Sequence, residues 1–301
     1  MLRILLLLIF VSIINFSYSQ GCSDAGACSI ESINFEESPG HLNTNVKMNI
    51  EQTFGLGEKF ILISQTTAGI QYRASKNTLL ELRVPFIFTI GNLGQTSGVG
   101  DLILSLNQRL INNKNSKLNL ILASRLKTND ADKHIDEQAL PMAYQTSLGT
   151  YDIILGSLYS IPKWDFYMAY QYSFGRNKNG YLVEDITIPE NQQYYESNNL
   201  KRGDDIYLRI RRFFDLKNNN RIIANTLFIY RIQKDEIVKN EENIQLNGSN
   251  GLTLNLAFTY SKKLKNNRNI DFSLAFPVID KDYRADGLTR NLVLGIRIVN
   301  L

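Results

Sequence analysis

Of 301 residues only two are histidine and two cysteine, with one tryptophan and six prolines. His41 and His134 lie far apart, and there is no His-Glu-x-x-His, Gly-x-Ser-x-Gly or phosphate-loop motif, so the common hydrolase and nucleotide chemistries lose their usual residues. Basic and acidic residues nearly balance, 33 Lys and Arg against 29 Asp and Glu. No basic block of five or six residues stands out, which removes a nucleic-acid footprint. The mainly apolar stretch at residues 4–14 is too short to cross a hydrocarbon core about 30 Å thick as a helix. The composition therefore excludes a helical membrane protein.

What is present begins with that stretch. Arg3, the run Ile4 to Ile14, and small residues at Ser17 and Ser19 read as a secretory signal peptide over residues 1–19. Residues 20–44 then form an expected N-terminal periplasmic segment. Its Cys22 and Cys28 flank Ser-Asp-Ala-Gly-Ala, and an exported chain enters a compartment where disulfides persist, so a small disulfide loop is expected there. A metal or redox role for the pair has no further Cys and no nearby His to support it, and no metal or cofactor is expected anywhere in the chain.

From about residue 45 to 301 the pattern is uniform. Apolar residues fall at every second position over segments of nine to thirteen, the period of a strand with one apolar face. In the run Trp164 to Phe174, Trp164, Phe166, Met168, Tyr170, Tyr172 and Phe174 share one face and Asp165, Tyr167, Ala169, Gln171 and Ser173 the other. Twelve such strands are expected at 46–54, 60–72, 78–87, 100–111, 117–127, 150–160, 164–174, 204–214, 221–233, 251–261, 269–279 and 290–299. The second and sixth alternate less cleanly than the rest.

The connections alternate in length. Ala74 to Asn77, Asn112 to Ser116, Ile161 to Lys163, Lys217 to Asn220 and Leu264 to Arg268 are tight and polar. The others, at 88–99, 128–149, 175–203, 234–250 and 280–289, are longer, and only the first, 55–59, is short. Strands of 9 to 11 residues, short turns at one end and long loops at the other describe a closed antiparallel transmembrane β-barrel, with outer-membrane lipid as its surroundings. A soluble sandwich has shorter strands and no reason to gather its long loops at one end.

If the apolar face meets lipid, the other lines the lumen. The lumen-lining candidates are Arg83, Asp101, Arg109, Arg125, Asp152, Asp165, Arg209, Arg211, Arg231, Asp271 and Arg297, with Lys47, Arg73, Glu51, Glu81 and Asp205 on the same face. Twelve strands enclose a narrower lumen than the porins of 16 to 18, so these groups can meet across it. Most are expected to pair with one another as a plug, and a subset to form a constriction selecting small polar or anionic solutes. The acidic stretch Asp130 to Glu137 around His134 reads as a solvated loop, with a weak divalent-cation site as the alternative.

Several segments together resemble one family. Val84-Pro85 is followed by a glycine-rich loop and Gly98-Val99-Gly100-Asp101; Leu126-Lys127-Thr128-Asn129-Asp130 closes a strand; Gln145-Thr146-Ser147-Leu148-Gly149-Thr150-Tyr151-Asp152 opens the next; Phe276-Pro277 precedes Gly287. In order and spacing these resemble the outer-membrane barrels described as transporters of the phenol-degradation meta pathway, similar in design to fatty-acid and toluene channels. The resemblance runs along nearly the whole mature chain. It implies passive transport of a small-molecule solute of unassigned identity and no catalytic residue. Two features depart from it: Val299-Asn300-Leu301 lacks a terminal aromatic of the kind the barrel-assembly machinery reads, and the Cys22/Cys28 loop is extra, pointing to a periplasmic partner of its own.

The expectation is a passive channel in the outer membrane of a Gram-negative bacterium, reached by Sec-type export. Two alternatives stand beside it. One is a closed structural barrel whose loops, above all Tyr181 to Arg202, serve adhesion or assembly. The other is an outer-membrane hydrolase using His134.

Overall fold

The computed structural model describes residues 45–185, 189, 193–264, 268–287 and 290–299. The signal peptide, the Cys22/Cys28 segment, His41 and Leu301 lie outside the described residues.

Seventeen strands are present among the described residues: β1 (Val46–Gly57), β2 (Leu62–Arg73), β3 (Thr78–Gly91), β4 (Gly94–Val99), β5 (Leu102–Asn112), β6 (Lys117–Leu126), β7 (His134–Ile135), β8 (Gln138–Ala139), β9 (Tyr151–Ile161), β10 (Trp164–Phe174), β11 (Asp205–Asp215), β12 (Arg221–Arg231), β13 (Glu236–Lys239), β14 (Glu242–Gln245), β15 (Gly251–Lys263), β16 (Asn269–Ile279) and β17 (Arg290–Val299). Thirteen of them, all but β7, β8, β13 and β14, form one antiparallel sheet that closes on itself, because β2 pairs with both β1 and β3 and β1 pairs with β17. Because β4 and β5 follow one another along β3, the thirteen make twelve wall positions, the number expected from the alternation. The pairs β7–β8 and β13–β14 are small hairpins within the loops. Among the described residues no helix is long and apolar enough to cross a membrane.

Along each wall strand exposure alternates with the pleat. On β10 the outward residues run Trp164, Phe166, Met168, Tyr170, Tyr172 and Phe174, and the alternate positions are buried. The outer surface is layered. Tyr72, Tyr159, Trp164, Phe214, Tyr260 and Phe272 are exposed near the turns, and Phe54, Phe86, Phe88, Tyr151, Tyr172 and Tyr230 near the loops. Between them lie Leu104, Leu122, Leu155, Met168, Leu208 and Leu294. The ten steps of about 3.3 Å in an eleven-residue strand, tilted by about 40°, cover about 25 Å, the height of the apolar band in such barrels.

Three departures from the expected pattern have physical reasons. The stretch 88–99, expected as a loop, continues the wall: β3 runs to Gly91 and turns into β4. Gly100 and Asp101 then break β4 from β5. The break faces Pro85, whose carbonyl accepts a hydrogen bond from Gly100 N at 2.8 Å. A strand residue points its N–H and C=O to the same neighbour, and proline has no N–H to return, so the ladder stops there. Pro277 is handled alike: the β15–β16 register shifts between Leu254 and Asn255, opposite Pro277.

The second departure is β2, whose blurred alternation comes from outward-facing Ser64 and Thr66. Gln52 on β1 donates to Ser64 Oγ at 2.9 Å and accepts from Thr66, so these lipid-side polar groups satisfy one another. The third is that the inner face is not uniformly polar. Leu79, Ile121, Ala123, Ile154, Leu158, Tyr167, Ala169, Tyr207 and Leu227 form a buried apolar cluster inside the wall, which is why the alternation of β9 is blurred.

The long loops do not project freely. Residues 140–150 are all buried or nearly so, and two apolar clusters join the loops to one another. One contains Ile61, Leu140, Ala143, Tyr144, Tyr181 and Tyr194; the other contains Ala131, Met142, Leu148, Leu200, Ile237, Leu246 and Ala285. The loops form a cap with its own cores.

Candidate functional site

The register of the sheet decides which inner charges meet. Arg125 stands opposite Asp152, Asp165 opposite Arg211, Asp205 opposite Arg231, and Asp271 opposite Arg297. Each is an ion pair, at 3.4, 2.6, 3.0 and 2.7 Å respectively. A direct cross-strand position puts two side chains within reach without bending either. Arg83 on β3 reaches past β2 to Glu51 on β1, at 2.6 Å. The β2 residue between them is Gly69, and the space beside it is filled by the Asn49 amide, 2.3 Å from where a Cβ would stand. Arg209 lies over the Tyr167 ring, 5.9 Å from its centre.

At the turn end the lumen opens into a vestibule of about 850 Å³. Lys47, Arg109, Lys114, Lys117, Lys163, Arg221, Lys263 and Arg297 line it, against Asp165, Asp215 and Asp271. Eight cations against three anions make this chamber attractive to negative solutes. Under the cap a second hollow of about 90 Å³ is lined by Asp101, Arg125, Arg290 and loop residues 142–143 and 145–148.

Between these chambers and the outside lies a charge network, half supplied by strands and half by loops. Arg231 binds Asp205, Asp235 at 2.8 Å and Asp286 at 3.1 Å. Arg202 lies 3.2 Å from Asp152, 3.6 Å from Asp205 and 3.7 Å from Asp286. Gln171 donates to Asp152 and accepts from the Tyr207 hydroxyl, both at 2.6 Å. Burial alone would raise the Asp286 carboxyl, but Arg231, Lys281 and Arg202 hold it below the usual carboxylate range. Burial and the Arg231 charge push the Lys281 ammonium down. Four cations (Arg125, Arg202, Arg231, Lys281) and four carboxylates (Asp152, Asp205, Asp235, Asp286) balance.

A second cluster ties two loops across the β1–β17 seam. Arg284 lies 2.8 Å from Glu58 and also binds Asp280. Burial outweighs the pull of Arg284 and pushes the Glu58 carboxyl up to about 7.

The strand-end motifs singled out in the sequence meet at one point. Asp101 accepts hydrogen bonds from Thr128 N at 3.4 Å and Leu148 N at 2.9 Å. Asn129 donates to Thr146 Oγ1 at 3.1 Å, and Ser147 donates to the Asn129 carbonyl at 3.0 Å. Gly287 has φ +63, and a Cβ there would lie 2.2 Å from Ala143 N. These residues knot the cap to the rim. His134 is exposed on the β7–β8 hairpin, and among the described residues no group of His, Cys, Asp or Glu is arranged to hold a metal ion. Asp130 instead accepts from Lys127 and Lys178, which lower its carboxyl to about 2.

Sequence reasoning missed Arg202, Asp235, Lys281, Asp286, Glu58 and Arg284, all loop residues. The available signal was a pair of short charged segments just ahead of strands, Arg202-Gly203-Asp204-Asp205 and Arg284-Ala285-Asp286-Gly287.

No family model matches the chain, and no curated protein matches its sequence. Among solved structures, an outer membrane channel from Pseudomonas putida F1 superposes on 88% of this chain and 98% of its own, with TM-score 0.57 and 14% identity. The fold is that of an outer-membrane barrel. The NanC porin covers 84% of this chain and 97% of its own at 8% identity and TM-score 0.49. The translocator domain of autotransporter NalP from Neisseria meningitidis covers 87% and 90% at 11% identity and 0.47.

Proposed function

We propose that this chain is a passive outer-membrane channel for small solutes, with a preference for anionic ones, closed at the loop end by its own cap in the conformation described. The observation that carries the reading is the vestibule, where eight cationic side chains face three carboxylates. Such a chamber concentrates anions by several-fold at low ionic strength and loses the effect as salt screens it. Arg209, with Arg211 on Asp165, continues the lining inward, and the neutral network at Arg202 and Arg231 forms the constriction to be opened. The strand-end motifs and the fold together support placement among barrels of the phenol-degradation meta-pathway type, without naming phenol as the solute. Export by a signal peptide at residues 1–19 and a Cys22–Cys28 disulfide belong to the same proposal.

The adhesion alternative needs displayed loop side chains. Tyr181 and Tyr194 of that loop are 1% and 5% exposed, which favours the channel. Planar-bilayer recording tests the reading. The purified protein is expected to conduct with anions favoured, and replacing Lys117, Lys163 and Lys263 with Gln is expected to move the reversal potential toward neutrality. No conductance at all, or a selectivity unmoved by the triple replacement and by Arg209→Ala with Arg211→Ala, sinks it.

A further inference from the structure

The outer wall carries an arginine that the interior does not use. On β11, Ile206, Leu208 and Ile210 face outward, and the same parity puts Arg212 on that side, level with Trp164 on β10 and Ala224 on β12. Its guanidinium lies 4.6 Å from the centre of the Trp164 ring and 5.6 Å from that of Phe214, within cation–π range. The inward-facing neighbours Arg211 and Arg221 are paired with Asp165 and Asp215. Among the described residues no carboxylate pairs with Arg212.

Its depth fits a headgroup. A cation facing lipid is costly at the membrane centre and nearly free at the interface, and Trp164 and Phe214 mark the aromatic girdle at the turn end. Toward the membrane centre from Arg212, β12 presents Ala224 and Thr226 outward. They stand between Arg212 and Ile210 on β11 and Phe258 and Leu256 on β15. Two small side chains in a row between taller ones leave a short furrow beside Arg212, bounded toward the membrane centre by Phe228, the next outward residue of β12. The tight turns add Lys76, Lys114, Lys163 and Lys217 at this end, a positive field toward anionic headgroups.

We infer that Arg212, Trp164 and the short Ala224/Thr226 furrow form a binding site for one anionic phospholipid in the leaflet at the turn end, its phosphate on Arg212 and the first carbons of an acyl chain against Ala224 and Thr226. A net-negative lipid is favoured over a zwitterionic one because nothing on this face offsets the guanidinium charge, whereas a zwitterion brings an ammonium of its own.

Trp164 is the only tryptophan in the chain, so its fluorescence reports on the site directly. The full-length protein is reconstituted in phosphatidylcholine vesicles containing a minor fraction of brominated phosphatidylglycerol or, in parallel, of brominated phosphatidylcholine. Quenching is expected to be several-fold stronger with the glycerol lipid. Arg212→Gln should bring the two lipids to equality, and Ala224→Phe, which fills the furrow and keeps the charge, should weaken quenching by phosphatidylglycerol. Lys217→Gln, on the same rim but off the site, should leave the preference in place. Equal quenching in the unmodified protein overturns the site, and so does any preference that survives Arg212→Gln; if that preference then falls with Lys217→Gln, it belongs to the rim lysines.

Discussion

Asp205 accepts from both Nε and Nη2 of Arg231 at 3.0 Å, while the same guanidinium binds Asp235 through Nη1. A fully occupied buried guanidinium adds little net stability relative to an apolar substitute, but removing one member leaves its partners charged in a medium that solvates them poorly. Arg231→Ala takes the ion pair from Asp235 and leaves Asp205 and Asp286 only the longer contacts to Arg202, and is expected to cost about 3 kcal/mol, measured by urea unfolding in lipid vesicles with Trp164 as the probe. An unfolding midpoint unchanged by the substitution contradicts the network. Of these residues, Asp205 and Arg231 were legible in the sequence because strand parity assigns a side to every residue. Asp235, Arg202 and Asp286 were not, because a loop has no period from which to read direction.

The twelve wall strands were legible to within a few residues because each is half bathed in lipid and half enclosed, which forces the period of two on the sequence. The β4 strand was not, since Gly91, Gly94, Gly98 and Gly100 give it the composition of a loop. Its glycines serve approach to the cap: Gly94 has φ +118 and would place a Cβ 2.6 Å from Ile135 on the β7–β8 hairpin. The cap itself was illegible as a folded element because its cores at Tyr144, Tyr194 and Leu200 draw a few scattered residues from each of several loops distant in sequence. Gly287→Ala tests the cap as an element. The left-handed backbone alone costs about 1 to 2 kcal/mol, and the added methyl meets Met142 and Ala143 backbone. Limited proteolysis should then cut within residues 127–150 while the barrel keeps its heat-modifiable mobility on gels; resistance equal to the parent contradicts the contact. On the outer wall, Met168 is 61% exposed at mid-band, and Met168→Arg is expected to cost about 2 to 4 kcal/mol in a bilayer. A cost near zero in vesicle unfolding contradicts its lipid-facing position.

At the scale of the whole molecule, the Glu58–Arg284–Asp280 cluster links stability to pH. Glu58 titrates at about 7 in the folded chain against 4.5 when free, so the folded state binds the extra proton between these values. Its stabilising contribution is complete below about 4.5 and is lost as pH rises through about 7. The thermal midpoint should fall over that window, and Glu58→Gln should remove that part of the slope; a slope identical in both proteins contradicts the assignment. The balanced network above the vestibule bears on another property. Its loop members, Arg202, Lys281, Asp235 and Asp286, sum to zero, as do its wall members, Arg125, Arg231, Asp152 and Asp205. An applied potential does work only on net displaced charge, about 2.3 kcal/mol per elementary charge per 100 mV. Lifting these four loop residues away from the wall therefore carries no gating charge, and an opening that rests on them should respond to protons and to salt while remaining indifferent to voltage.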